Sequence, residues 1–232
     1  MRITLQPAFV LHYRPYRETS LLVDLLTRDH GRIALISRGI RKNHSPLKAL
    51  LQPFNSLFVS WQGKTELMTL TAAEPNGIHK PLNGSCLLSG LYINELLMRL
   101  LQKHDPCPNL YTIYQQTLVE LQAPVLHQRI LRLFEKKLLE ELGYGLQLDH
   151  EIDTGIPLKE DKRYRYHAEL GFKPDEHGDE ASHLLFSGKS LIALAKEQLT
   201  DLECLREIKR LMRLVLTPLL GTQPLYSRKL FE

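Results

Sequence analysis

Five short strand-forming runs, each closed by a turn signal, crowd the first third of this chain. Residues 3–13 are rich in β-formers, with Phe9, Leu11 and Tyr13 alternating against Val10, His12 and Arg14. The run Pro15-Tyr-Arg-Glu18 breaks it. Residues 20–28 are apolar enough for helix or strand, but their length and the turn at Asp29-His-Gly31 favour a strand entering a hairpin. Residues 33–37, 57–61 and 66–71 complete the set. So many short strands in so few residues would leave sheet edges exposed unless the sheet closed on itself. A five-stranded OB barrel is the expected solution, and an SH3-like barrel shares the pattern.

The connection between the third and fourth strands is long and basic. From Arg28 to Lys48 six Lys/Arg face one acid, Asp29. The net charge of +4 is unevenly placed: residues 1–80 hold 11 Lys/Arg against 5 Asp/Glu, the remainder 19 against 21. A basic excess confined to the barrel points that part at a polyanion, most often nucleic acid. A solvated basic hairpin is the plain alternative. The cations available to phosphates are Arg14, Arg17, Arg28, Arg32, Arg38, Arg41, Lys42 and Lys48. Tyr13 and Tyr16 are placed to stack on bases, Tyr16 being the one assigned to the site, whereas Phe54, Phe58 and Trp61 lie in apolar runs that suit a core.

Composition changes near Pro75-Asn-Gly77 and again at Pro81-Leu-Asn-Gly84, dividing the chain into a barrel (1–80) and an α-helical domain (81–232), an α+β fold. Apolar residues at 3–4 spacing predict helices over 87–103, 110–122 and 125–142, packed as a bundle on the barrel. Residues 146–188 are polar and lack helical periodicity; they read as an irregular insertion with a small hairpin at Tyr164 and Tyr166. Two more helices follow, about 189–197 and 202–216, the second ending before Pro218 and carrying Arg206, Lys209, Arg210 and Arg213. In the third helix Arg129 and Arg132 border apolar residues. That is either a plain amphipathic face or a basic rim around a groove for an acidic, hydrophobic peptide.

No catalytic constellation is present in the pattern. Cys86, Cys107 and Cys204 are odd in number and far apart, which supports neither a disulfide framework nor a zinc site and fits a reduced compartment. The nucleophile-elbow, phosphate-loop and dinucleotide fingerprints are missing. Asp149, Glu151, Asp153 and Glu160 resemble a calcium loop only faintly, because the glycine falls at 155, one place late. No metal, no cofactor and no enzymatic activity are expected. The N-terminus does not read as a secretory signal, and no run of about 18 apolar residues occurs. Cytoplasmic residence is therefore expected.

Several pieces in order resemble the RecO family of bacterial recombination mediators: Ala8-Phe-Val-Leu-His-Tyr-Arg-Pro-Tyr-Arg-Glu-Thr-Ser20, Arg38-Gly-Ile-Arg-Lys42, Gly90-Leu-Tyr-Ile-Asn-Glu-Leu-Leu97, Leu142-Gly-Tyr-Gly-Leu146 and Pro224-Leu-Tyr-Ser-Arg-Lys-Leu-Phe231. The likeness spans the chain and is greatest to the proteobacterial branch. It implies a non-enzymatic protein of DNA repair and homologous recombination, acting in the bacterial cytoplasm and associated with the nucleoid. Such a protein binds single- and double-stranded DNA and anneals complementary strands. With RecR it helps load RecA on DNA coated by single-strand binding protein, whose acidic C-terminal tail Arg129 and Arg132 would receive. Many relatives carry a four-cysteine zinc site after the Leu-Gly-Tyr segment; here that place reads Asp149-His-Glu-Ile-Asp153, so no zinc is implied. The competing readings are a protein-only adaptor for acidic partners and a metal-dependent nuclease using the acids of 149–160.

Overall fold

The computed structural model describes residues 2–40, 46–64, 67–77, 81–123, 127–168, 170–175 and 183–231. Contacts divide the chain into two compact units, one formed by Met1–Ala123 with Leu225–Glu232, the other by Pro124–Pro224.

The first unit is built on a closed barrel of β1 (Arg2–Tyr16), β2 (Ser20–Thr27), β3 (Gly31–Ser37), β4 (Ser56–Gln62) and β5 (Met68–Pro75). The strand order is β1-β2-β3-β5-β4, and β4 returns to β1. The β3–β5 pairing is parallel and the others are antiparallel, which is the OB arrangement. β1 closes the barrel because it is long enough to serve two neighbours. Its first half pairs with β4 and its second half with β2, with a register shift between Val10 and His12. Pro15 does not end this strand: it pairs with Leu21 near its end, where a missing N–H costs the ladder little. Alternation sends Val23, Leu25, Ile33, Leu35, Val59 and Trp61 into the barrel core. Phe54 is buried and Phe58 half-buried.

A one-turn helix, α1 (Leu47–Leu50), precedes β4. Two longer helices, α2 (Gly84–Leu100) and α3 (Pro108–Glu120), belong to the barrel's unit. A buried chain of hydrogen bonds fastens them to β1. Tyr114 donates to Asn94 Oδ1 at 2.7 Å, and Asn94 Nδ2 donates to the Leu11 carbonyl at 2.8 Å. Phe9 stacks against Tyr111 and Tyr114, with ring centroids 5.2 and 5.1 Å apart. The C-terminal residues return to this unit: the backbone N–H groups of Tyr226 and Ser227 donate to Glu95, each at 2.8 Å.

The second unit holds α4 (His127–Glu141), β6 (Arg163–His167), β7 (Gly171–Pro174), β8 (Leu185–Ser187), α5 (Gly188–Ala195) and α6 (Leu202–Leu220). Within this unit the third helix packs on α6. The insertion is less irregular than its composition suggests. The expected hairpin exists, with Tyr166 opposite Phe172, and β8 adds a third strand on the other side of β6. Phe172 and Phe186 form its buried layer. Pro218 lies inside α6 rather than after it. In the last turn it forfeits one backbone bond while Leu220 remains buried. No helix among the described residues is long and apolar enough to cross a membrane.

Candidate nucleic-acid interface

The barrel register sorts the sequence-derived cations into two groups. Pro15 pairs with Leu21 and Leu21 with Ser37, so the β1–β2 turn and the exit of β3 lie at one end. Arg14, Arg17 and Arg38 are exposed there. The Arg17 guanidinium stands 5.3 Å from the centroid of the half-buried Tyr16 ring, a cation–π contact that holds both groups at the turn. Lys48, on α1, is exposed. Tyr13 is less available for stacking. It packs against the barrel core, and its hydroxyl donates to Gln52 Oε1 at 3.4 Å. Arg41 and Lys42 lie outside the described residues.

At the other end Thr27 pairs with Gly31, bringing Arg28 and Arg32 together. Arg28 is exposed and binds Asp29 through two hydrogen bonds, at 3.0 and 3.1 Å. These bonds hold the Asp29 carboxyl below its ordinary range. Arg32 is already committed. Its Nε and Nη2 both donate to the Leu101 carbonyl, at 3.1 and 3.0 Å, and its Nη1 lies 3.6 Å from Asp24 Oδ1. With its side chain only 12% exposed, it is a structural cation in this fold.

Between the two ends, cross-strand pairing places a few polar residues among apolar ones on the outer face of β1, β2 and β3, where β2 is buried throughout. His12 lies opposite Asp24 and Asp24 opposite Ala34, while Arg14 faces Leu22 and Arg32 faces Leu26. Burial pushes the Asp24 carboxyl up, against the opposing pull of Arg32, His12, Arg14 and Lys103. Sequence reasoning missed three members of this neighbourhood. His12 and Asp24 were visible as polar positions in apolar strands. Lys103, distant in the chain, carried no signal.

The two arginines of α4 are also engaged within their own unit. Arg132 is buried and pairs with Glu135 at 2.5 Å, so it faces the interior rather than an open groove. Arg129 is half-buried and donates to the backbone carbonyl of Glu197 at 3.0 Å. The Glu197 carboxylate in turn accepts Lys136 and Lys137, each at 3.2 Å. Arg210 of α6 reaches the Leu185 carbonyl and lies 4.7 Å from the Phe186 ring centroid, leaving Arg206 and Arg213 exposed.

In the acidic stretch Glu151 is buried and accepts Thr154 Oγ1 at 2.7 Å and Lys162 Nζ at 3.1 Å. Those bonds hold its carboxyl below the usual range, the Thr154 hydroxyl first among them. Asp153 pairs with Lys173 at 2.7 Å. Among the described residues no three His, Cys, Asp or Glu side chains converge to hold a metal ion.

Comparison with known proteins adds the family. Residues 1–78 match the family described as "Recombination protein O N terminal", and residues 83–229 match "Recombination protein O C terminal". The chain is 46% identical over 230 residues to the "DNA repair protein RecO" of Coxiella burnetii strain RSA 331 / Henzerling II, covering 99% of this chain and 98% of that one. It is 45% identical over 226 residues to the protein of that name in Serratia proteamaculans, covering 97% and 92%. To the one in Photobacterium profundum it is 41% identical over 227 residues, covering 98% and 95%.

Proposed function

The chain belongs to the recombination protein O family of DNA repair proteins, and from that premise we propose that it is a non-enzymatic mediator that binds single- and double-stranded DNA and anneals complementary strands. The observation that carries this reading is the grouping of Arg14, Tyr16, Arg17 and Arg38 at one end of an OB-type barrel. Exposed guanidinium groups neutralise phosphates without demanding a base sequence, and a half-buried ring stabilised by Arg17 offers a stacking platform. A surface of that kind holds strands by their backbones and leaves base edges to find each other. Annealing needs no acid, base or metal, only the screening of strand repulsion.

The same reading includes cooperation with RecR, and RecA loading on DNA coated by single-strand binding protein. The acidic tail of that protein would be received near Arg129, Lys136 and Lys137, where Glu197 already shows how a carboxylate is held by paired lysines. Arg132 would support this face from beneath rather than touch the tail.

The test is annealing of two complementary oligonucleotides, one carrying a donor and one an acceptor fluorophore. Pairing is expected to accelerate with protein and to lose that acceleration as salt rises. Pairing at the spontaneous rate across protein concentrations would overturn the reading.

A further inference from the structure

Helix α5 ends on a residue type that the backbone there does not favour. The N–H of Gln198 donates to the Ala193 carbonyl at 2.8 Å, and that of Glu197 to the Leu194 carbonyl at 3.1 Å. This is the Schellman arrangement, in which the residue at the place of Glu197 is left-handed and most often glycine. Glu197 takes φ +57° despite its side chain. Contacts with α4 show what that side chain does. Arg129 Nη2 donates to the Glu197 backbone carbonyl at 3.0 Å, which fixes the chain at this point. The carboxylate is gripped by two cations, Oε1 by Lys136 Nζ and Oε2 by Lys137 Nζ, each at 3.2 Å. Lys136 also pairs with Glu140 at 3.1 Å. The Glu197 side chain is 36% exposed and that of Lys137 33%, so the carboxylate and one of its lysines are reachable from solvent.

We propose that the Lys136–Lys137 pair is the carboxylate receptor of the acidic-tail site, and that Glu197 is its resting occupant, a tethered competitor that the tail displaces. The proposal rests on the tail-binding part of the reading above and adds how that site is kept closed. The geometry suits an exchange. The helix-end bonds and Arg129 hold the backbone of Glu197 in place, so its carboxylate can swing into solvent about side-chain bonds alone while the fold stays. The group that leaves and the group that arrives are both carboxylates, so the lysines remain neutralised, and partly exposed ion pairs are weak enough to be traded. Because Glu197 is tethered, it faces the lysines at a high effective concentration. A dilute lone carboxylate therefore displaces it poorly. A segment with several adjacent acids engages both lysines at once and displaces it well. A glutamate at a glycine-favouring position is the local cost of keeping this occupant in reach.

The experiment is fluorescence anisotropy of the full chain with a labelled peptide of three aspartates followed by leucine and phenylalanine, its carboxyl terminus free. Glu197→Gln is expected to bind this peptide about three- to tenfold more tightly than the wild type, the gain from removing two partly exposed ion pairs. Glu197→Gly is expected to gain as much and to keep its circular dichroism, since glycine suits the left-handed backbone. Changing Lys136 and Lys137 together to alanine is expected to weaken binding by about tenfold or more. Glu141→Gln, which removes an exposed acid four residues along α4 from Lys137, controls for charge alone and is expected to change affinity by less than about twofold. Peptide binding by the wild type that Glu197→Gln leaves unchanged or weakens overturns this proposal alone. So does a gain in Glu141→Gln equal to that in Glu197→Gln, or full binding without the two lysines. Binding by neither the wild type nor Glu197→Gln overturns it together with the tail-binding reading.

Discussion

Arg132 Nη2 lies 2.5 Å from Glu135 Oε1, one turn along α4, with the arginine side chain 7% and the glutamate 0% exposed. A pair this deep is costly to halve. Arg132→Ala or Glu135→Ala is expected to lower unfolding free energy by about 3–5 kcal/mol, because each leaves a buried charge without its counterpart. Replacing both by apolar residues of similar volume should recover most of the loss. Urea unfolding followed by circular dichroism decides it; single changes that cost less than about 1 kcal/mol, as for exposed pairs, would contradict the burial.

Asp24 gives a pH and charge signature. Its carboxyl is raised, chiefly by burial, so the folded chain holds that proton more tightly than the unfolded one. The resulting stability is present below the ordinary carboxylate value and is lost as pH rises through the raised folded value. Asp24→Asn is therefore expected to be at least as stable as the wild type at pH 7, with the difference shrinking in acid. It also removes a negative charge from the electrostatic neighbourhood of Arg14, so DNA binding should tighten. Weaker DNA binding by Asp24→Asn with an intact fold would contradict the placement of a phosphate contact at Arg14.

The Tyr114–Asn94–Leu11 chain tests how α2 and α3 are fixed to β1. Tyr114→Phe should cost about 1–3 kcal/mol, since the Asn94 carbonyl oxygen is left buried and unpaired. Burial also drives the Tyr114 hydroxyl far above its usual value. Alkaline difference spectroscopy should find this tyrosine silent until the chain unfolds.

The loop around Glu151 is closed by Thr154, Lys162 and Tyr164. Its stability should survive exhaustive chelation, with the same melting temperature in EDTA. The Glu151 carboxyl is depressed, so its contribution is present above the ordinary glutamate value and falls away as pH drops through the lower folded value. Glu151→Gln should shift melting at neutral pH and converge with the wild type in acid. A melting temperature that falls in EDTA and returns with zinc would overturn this description of the loop.

Much of the barrel was legible because its core alternates with period two, from Val23 and Leu25 to Ile33 and Leu35. What alternation cannot show is pairing between strands far apart in sequence. The parallel β3–β5 contact, Leu35 with Met68, closes the barrel without any local signal. Charge counting marks a basic region of chain but cannot show the fate of each cation. Arg32 looks like Arg38 in sequence and differs because Asp24 and a carbonyl 69 residues away meet its guanidinium. Arg132 and Glu135 stand three apart, a spacing that could have flagged the pair. The third strand of the small sheet was hidden because β8 is only three residues long, with Leu185 and Phe186 as its two apolar residues.

The central claim is that the exposed cations at the β1–β2 turn and the β3 exit carry phosphate contacts. Its most direct measurement is the salt dependence of oligonucleotide affinity for the variant with Arg14, Arg17 and Arg38 all changed to Ala. The expected result is a log–log slope reduced by about 2–3 relative to the wild type, with circular dichroism unchanged. A slope identical to that of the wild type would contradict it.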